Sequence, residues 1–378
     1  MKFVIAPDSF KGSLTAKQAA LAMATGIRRV FPRAEYTLVP MADGGEGTVA
    51  ALVDATGGQL VQVPVHDPLD RVVTASYGLL GTSNTAVIEM AAASGLQFVD
   101  AQTRNPLLAS TYGTGELIKD AVARGVDRII IGLGGSATVD GGAGMAQALG
   151  VHLLDEAGQE LPHGGGALTH LTRVDMSELD PRLHQVEILL AADVTNPLTG
   201  SEGAARVFGP QKGATPAMVT ILERGLAHFA TVVKHDCCRD PSRKPGAGAA
   251  GGLGFGLLAF THVEVKRGID LVLQYTDFAR QVVGADYVFT GEGQVDFQTE
   301  FGKTPLGVSR AARQVVPGVP VIALAGSLGS GIDALDDDFT AVFAAPSGAK
   351  DLHQAIADAP ADVALTAGNV ARLIKRLK

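Results

Sequence analysis

Tryptophan is absent from this sequence, and only two cysteines, Cys237 and Cys238, occur in its 378 residues. Adjacent cysteines match neither the ligand spacing of a structural zinc site nor an ordinary disulfide, so the chain reads as suited to a reducing compartment. Long apolar runs are missing as well. The opening run, Phe3 to Ala6, is stopped by Pro7 and Asp8, too short for a signal-peptide core, and no stretch reaches the length that spans a bilayer. A cytoplasmic protein with no membrane partner is expected. Positive charge is not in excess: 31 Lys and Arg against 39 Asp and Glu leave a net charge of −8. No basic run exceeds the small group Lys375, Arg376 and Lys378, which disfavours a nucleic-acid partner.

What is abundant is glycine, 47 residues, about twice the usual roughly 7% and concentrated in a few clusters. With 46% hydrophobic and 19% charged residues the chain reads as globular, and its length suggests two or three domains of about 150 residues each. The densest cluster spans residues 127–150. There a branched apolar run, Ile129 to Ile131, breaks into Gly132, Gly134 and Gly135, followed by Ser136, Thr138, Asp140 and a second cluster, Gly141, Gly142 and Gly144. A buried strand, a glycine loop and a helix start offer bare amides to an anion, most often a phosphate. The same stretch fits the dinucleotide fingerprint at Gly132, Gly134 and Ala137, with Asp155 at about the spacing of a ribose-binding acid. The extra glycines of residues 139–144 oppose the immediate helix that this fingerprint needs.

Elsewhere strands and helices alternate at both ends of the chain. Phe3 to Pro7 leads into Asp8-Ser9-Phe10-Lys11-Gly12-Ser13, where Lys11 and the hydroxyls of Ser9 and Ser13 offer a phosphate grip without the Walker A spacing. Thr15 and Gln18 form a capping box before a helix. Tyr36 to Pro40 leads into Asp43-Gly44-Gly45-Glu46-Gly47, with Asp43 and Glu46 as Mg²⁺ candidates, although Glu46 reads better as an acid of the following first helical turn. After Gly58 the pattern changes: Val61, Val63 and Val65, then Val73, Ala75, Tyr77 and Leu79, read as antiparallel strands about an Asp67-Pro68 turn, with Thr85 to Met90 as another. Glu89 is either an edge residue or a buried acid.

Val186 to Ala192 reads as a strand ending at Asp193, which faces the crevice expected beyond strand ends and is the leading general base; Asn196 follows it. Lys212 and Gly213 precede a helix marked by Thr215 and Pro216, a second phosphate grip. Residues 246–256, with Gly248 and Gly251, contain a literal G-x-G-x-x-G but follow no strand, and read as a flexible loop that covers phosphates or hinges the domains, with tight helix packing as the alternative. From Ala285 onward, strands at Tyr287 to Thr290, Val321 to Ala325 and Ala341 to Ala345 each run into a small-residue loop. With the two N-terminal strands they make five, expected to form a flavodoxin-like doubly wound parallel sheet from residues 1–58 and 269–378, with a mixed α/β domain, 59–268, inserted. Ligands are expected at the junction of the two.

As a set these motifs resemble the glycerate kinase family of the bacterial glycerate 2-kinase type. The resemblance rests on residues 6–11, 42–48, 132–144, 193–197, 208–213, 246–252, 290–293 with Asp296, and the pair Gly302-Lys303, in family order along the chain. Two positions depart from the family's usual pattern, Val139 where asparagine is common and Gln294 where arginine is. The resemblance implies transfer of the ATP γ-phosphoryl, with Mg²⁺, to D-glycerate, giving 2-phosphoglycerate in the breakdown of small organic acids, and leaves a homodimer open. In that reading Asp193 is the base, with Asp43 its rival and otherwise a metal-side acid. Lys11 and Lys212 neutralise phosphoryl and carboxylate charge; Gly134, Gly135 and Ser136 supply the phosphate loop; Glu292 and Asp296 bind Mg²⁺ or the ribose. The competing functions are a nicotinamide-dependent reductase of small hydroxy acids and a non-catalytic nucleotide sensor.

Overall fold

A computed structural model describes residues 1–297, 299 and 303–378; Gly302, one half of the Gly302-Lys303 pair, lies outside the described residues. The chain divides into two compact units, one of residues 1–43, 50–56 and 269–378, the other of residues 44–49 and 57–268.

The first unit is built on a five-stranded sheet whose neighbours run Glu35–Leu38, Lys2–Ile5, Tyr287–Val295, Val321–Leu328 and Ala341–Ala344, all parallel. In chain order this is 2-1-3-4-5, the flavodoxin-like order, with its reversal point between Lys2–Ile5 and Tyr287–Val295. Alternation along the strands covers both faces. Phe3, Ile5, Phe289, Ile322 and Leu324 join a core with the helices Ala16–Arg28 and Leu352–Leu377, while Val4, Val288 and Ala323 are buried on the opposite side. The two helices cross closely because Gly26 has no side chain: a Cβ there would lie 2.0 Å from the Ala364 carbonyl oxygen. Thr15 and Gln18 form the expected capping box.

The strand that starts at Tyr287 does not end at Thr290. It continues to Val295, because pairing with Val321–Leu328 persists through Glu292 opposite Ala325 and Gln294 opposite Ser327. Glu292 is therefore a strand residue rather than a loop residue.

The second unit carries a six-stranded sheet, ordered Val263–Lys266, Glu187–Ala191, Arg128–Gly132, Thr85–Glu89, Val72–Leu79 and Gln59–His66. Its first four strands are mutually parallel and the last two antiparallel. Thr85–Glu89 thus joins the two modes rather than simply adding to an antiparallel set. The helices Tyr112–Ala123, Pro216–Cys237 and Ala249–Phe260 bury Leu117, Phe229 and Phe255 into this unit's core. Residues 246–256 are not a flexible loop. Nearly all are buried, and the Ala249–Phe260 helix contains a left-handed stretch at Ala250, Gly251 and Gly252. Among the described residues no helix is long and apolar enough to cross a membrane.

Candidate active-site groups

In the flavodoxin-like unit, carboxylates gather at the carboxyl ends of the strands flanking the reversal point. Asp8 accepts from the Thr304 hydroxyl at 2.6 Å and from the Ser9 amide at 2.5 Å. Burial, then the neighbouring Asp43 carboxylate, push Asp8 up to about 7, with Thr304 and Ser9 pulling the other way and Glu292 adding to the rise. Glu292 is likewise pushed up to about 7, by burial first, against the pull of Lys303 and Thr299, with Asp43 again raising it. Three carboxylates therefore repel one another where the sheet order reverses.

Lys303 partly compensates, its Nζ lying 3.5 Å from Glu292 and 3.9 Å from Asp296. The Thr299 hydroxyl donates to Glu292 at 2.9 Å, and the Gln294 amide donates to Asp296 at 3.0 Å. At the position where the family often has arginine, Gln294 thus still binds a carboxylate, without the charge. Lys11 is exposed in the loop after the first strand. Among the described residues no three His, Cys, Asp or Glu side chains enclose a metal by themselves. An all-oxygen set of mutually repelling carboxylates nonetheless suits Mg²⁺, which takes about one or two protein carboxylates and completes its shell with water and phosphate.

In the inserted unit the glycine stretch is held from beneath by Asp140. Its fully buried carboxylate accepts from the Thr111 amide at 2.8 Å, the Thr111 hydroxyl at 2.7 Å and the amides of Gly142 and Gly144 at 3.0 and 3.2 Å. Lys212 is buried too and does not reach outward. Its Nζ donates to the Ser136 hydroxyl at 2.9 Å and the Thr138 carbonyl at 2.7 Å. Burial pushes the ammonium down to about 7, opposed by the Asp140 charge. Gly134 and Gly135 remain exposed above this brace. Gly251 packs so closely on the loop that a Cβ there would lie 1.9 Å from the Thr138 carbonyl oxygen.

Asp193 is exposed just past the Glu187–Ala191 strand, and its Oδ1 accepts from the Gly268 amide at 3.2 Å. Asn196 donates through Nδ2 to the Glu202 carbonyl at 2.8 Å, and its own carbonyl accepts from the Gly248 amide at 2.9 Å. Gly213 closes a short helix in a left-handed conformation (φ 92°). Glu89 is half-buried at the end of an interior strand and accepts from the Val49 amide at 2.8 Å, so it is not on a sheet edge.

The dinucleotide fingerprint fails in structure. The helix after the glycines begins only at Ala143, and Asp155 sits in a hairpin turn, accepting from the amides of Ala157 and Gln159. Sequence reasoning assigned no role to Asp8, Thr299 or Thr304. Asp8 carried a readable signal, an acid just past the end of a buried strand, the same argument applied to Asp193. Thr299 and Thr304 carried none.

A doubly wound sheet with clustered acids at its reversal point, and a glycine loop braced by a buried lysine, define an α/β protein equipped to handle phosphate. The glycerate kinase family profile matches residues 3–375. A glycerate kinase of Haemophilus influenzae is 51% identical over 375 residues, 99% of each chain. Escherichia coli glycerate 2-kinase is 51% identical over 328 residues, covering 87% of this chain and 86% of its own. A crystal structure from Salmonella typhimurium LT2, assigned to glycerate kinase 2, superposes with a TM-score of 0.89 at 47% identity, covering 100% of this chain and 98% of that one. The chain belongs to the glycerate kinase family.

Proposed function

We propose that this protein transfers the γ-phosphoryl group of ATP to D-glycerate, giving 2-phosphoglycerate in the cytoplasm. What carries the reading is identity of 51%, over 99% and 87% of this chain, to relatives named for glycerate. Phosphoryl transfer asks for an in-line hydroxyl, cationic groups on the phosphates and a carboxylate to take the hydroxyl proton.

Asp193 takes that proton. Its exposure beyond a buried strand leaves the carboxylate accessible, while the Gly268 amide orients one oxygen. Lys11 neutralises charge on the transferring group. Among Asp8, Asp43 and Glu292, about one or two carboxylates would hold Mg²⁺, which when bound would withdraw charge from the phosphate oxygens. Lys303 balances part of the charge of both Glu292 and Asp296. Gly134, Gly135 and Ser136 present backbone to an anion, with Gly251 packed against the neighbouring Thr138 and Gly248 against Asn196 and Pro197. Lys212 keeps that loop in shape.

An ADP-release assay with D-glycerate, L-glycerate, glycolate and lactate tests the reading. ADP formation that depends on D-glycerate and falls by about 10² or more in Asp193→Asn supports it. Release of ADP indifferent to the acid added overturns it.

A further inference from the structure

The flavodoxin-like unit contains a cleft to which, of the groups given roles in the transfer above, only Lys11 belongs. It lies beyond the carboxyl ends of the sheet strands, has a volume of about 150 Å³, and has Phe10, Lys11, Gly326, Pro346, Ile356 and Ala359 among its walls. One wall is a helix face, since Leu352, Ala355, Ile356, Ala359 and Val363 recur at helical spacing along Leu352–Leu377. The floor is bare backbone at Gly326, where a Cβ would lie 2.6 Å from the Gly293 carbonyl oxygen.

Polar ties hold the cleft open at its edge, one of them to the lining residue Asp362. Lys350 donates to Asp358 at 2.8 Å and to Asp362 at 2.7 Å, and the Thr366 hydroxyl donates to the Ala345 carbonyl at 3.1 Å. These bonds fix the loop after the last strand onto the C-terminal helix.

One polar feature on the apolar wall has a specific cause. Pro360 sits inside the helix and has no N–H, so the carbonyl four residues earlier, that of Ile356, loses its helical donor. The Ser13 hydroxyl donates to it at 3.3 Å, and a carbonyl oxygen has a second lone pair. A mainly apolar slot with a carbonyl acceptor at its side, a wall carboxylate, Asp362, already tied to Lys350, and a lysine at its mouth suits a flat heteroaromatic ring that bears an amino group and trails an anion. A slot of this size is too small for a whole nucleotide, since pockets enclosing entire ligands run to about 300–1,000 Å³. A small hydroxy acid fits it poorly, because apolar walls would leave its hydroxyls and carboxylate unpaired.

We propose that this cleft seats the adenine ring of the phosphoryl donor, its amino group facing the Ile356 carbonyl and its phosphates leaving past Lys11. The assignment rests on ATP being the donor, and it places the base on the flavodoxin-like unit alone.

Two measurements test it. The unmodified protein is assayed with ATP and with inosine triphosphate, in which a ring carbonyl replaces the amine. The slot predicts a kcat/KM at least about tenfold lower for the inosine nucleotide, because two carbonyls then face each other. Separately, Ala359→Phe fills the slot. Binding of a non-hydrolysable ATP analogue, measured by calorimetry without glycerate, is expected to weaken about tenfold or more, with the helical circular dichroism retained. Equal use of both nucleotides together with unchanged analogue binding in Ala359→Phe overturns the proposal even if D-glycerate is phosphorylated. Weakened analogue binding in a protein that phosphorylates no hydroxy acid supports the cleft and removes the glycerate reading instead. If Ala359→Phe does not fold, the comparison of the two nucleotides decides alone.

Discussion

Replacing Asp140 with alanine tests how the glycine stretch is held. The carboxylate is fully buried and accepts four hydrogen bonds, two from Thr111 and one each from Gly142 and Gly144. Summed at about 1.5–3 kcal/mol each for bonds to a charged group, they would give an implausible total, because contributions inside one network are not additive. Removing one partner of a buried charged set costs about 3–5 kcal/mol, and that is the magnitude expected for Asp140→Ala. Asp140→Asn should cost less. With its oxygen in the Oδ2 position it retains the Thr111 and Gly144 donors and turns an NH₂ only on the Gly142 amide. Urea unfolding followed by circular dichroism gives the difference by linear extrapolation. A cost below about 1 kcal/mol for the alanine variant would refute the assignment of Asp140 as the loop's anchor.

Further outcomes follow from the same geometry. Asp8 and Glu292 both titrate near 7 through burial and the charge of Asp43, so kcat/KM for ATP is expected to fall as pH drops through about 7. Glu292→Gln removes a like charge from Asp8 and should move that acidic limb to lower pH in a pH–rate profile. Because both folded-state values lie above the ordinary 3.8 and 4.5, these groups stabilise the metal-free fold most at acidic pH. That contribution is lost as pH rises through about 7, which thermal melts without Mg²⁺ will register. Gly251→Ala combines a left-handed backbone (φ 72°) with a Cβ 1.9 Å from the Thr138 oxygen, and urea midpoints should show a loss of at least about 2 kcal/mol.

Local signals in the sequence were accurate where the physics is local. The capping box at Thr15, the Thr215-Pro216 helix start and the paired alternation that sets His66 opposite Val72 all depend on neighbours within a few residues. Glu292 was read as a loop residue because Gly-Glu-Gly disfavours a strand, yet pairing with a strand some thirty residues away carries the sheet through it. Lys212 reads from sequence as a phosphate grip beside a helix start. Only the fold, which brings Ser136 and Thr138 to it, buries the ammonium. Asp8 owes its raised value to burial and the Asp43 charge and is held by Thr304, 296 positions away, and no periodicity announces that.

The central claim is tested most directly by phosphorus NMR of a reaction holding the protein, ATP, Mg²⁺ and D-glycerate. The account predicts that ATP is consumed while ADP and 2-phosphoglycerate appear in equal amounts, and that nothing changes when glycerate is left out. A spectrum in which ADP appears with inorganic phosphate alone, or in which ATP persists, would contradict it.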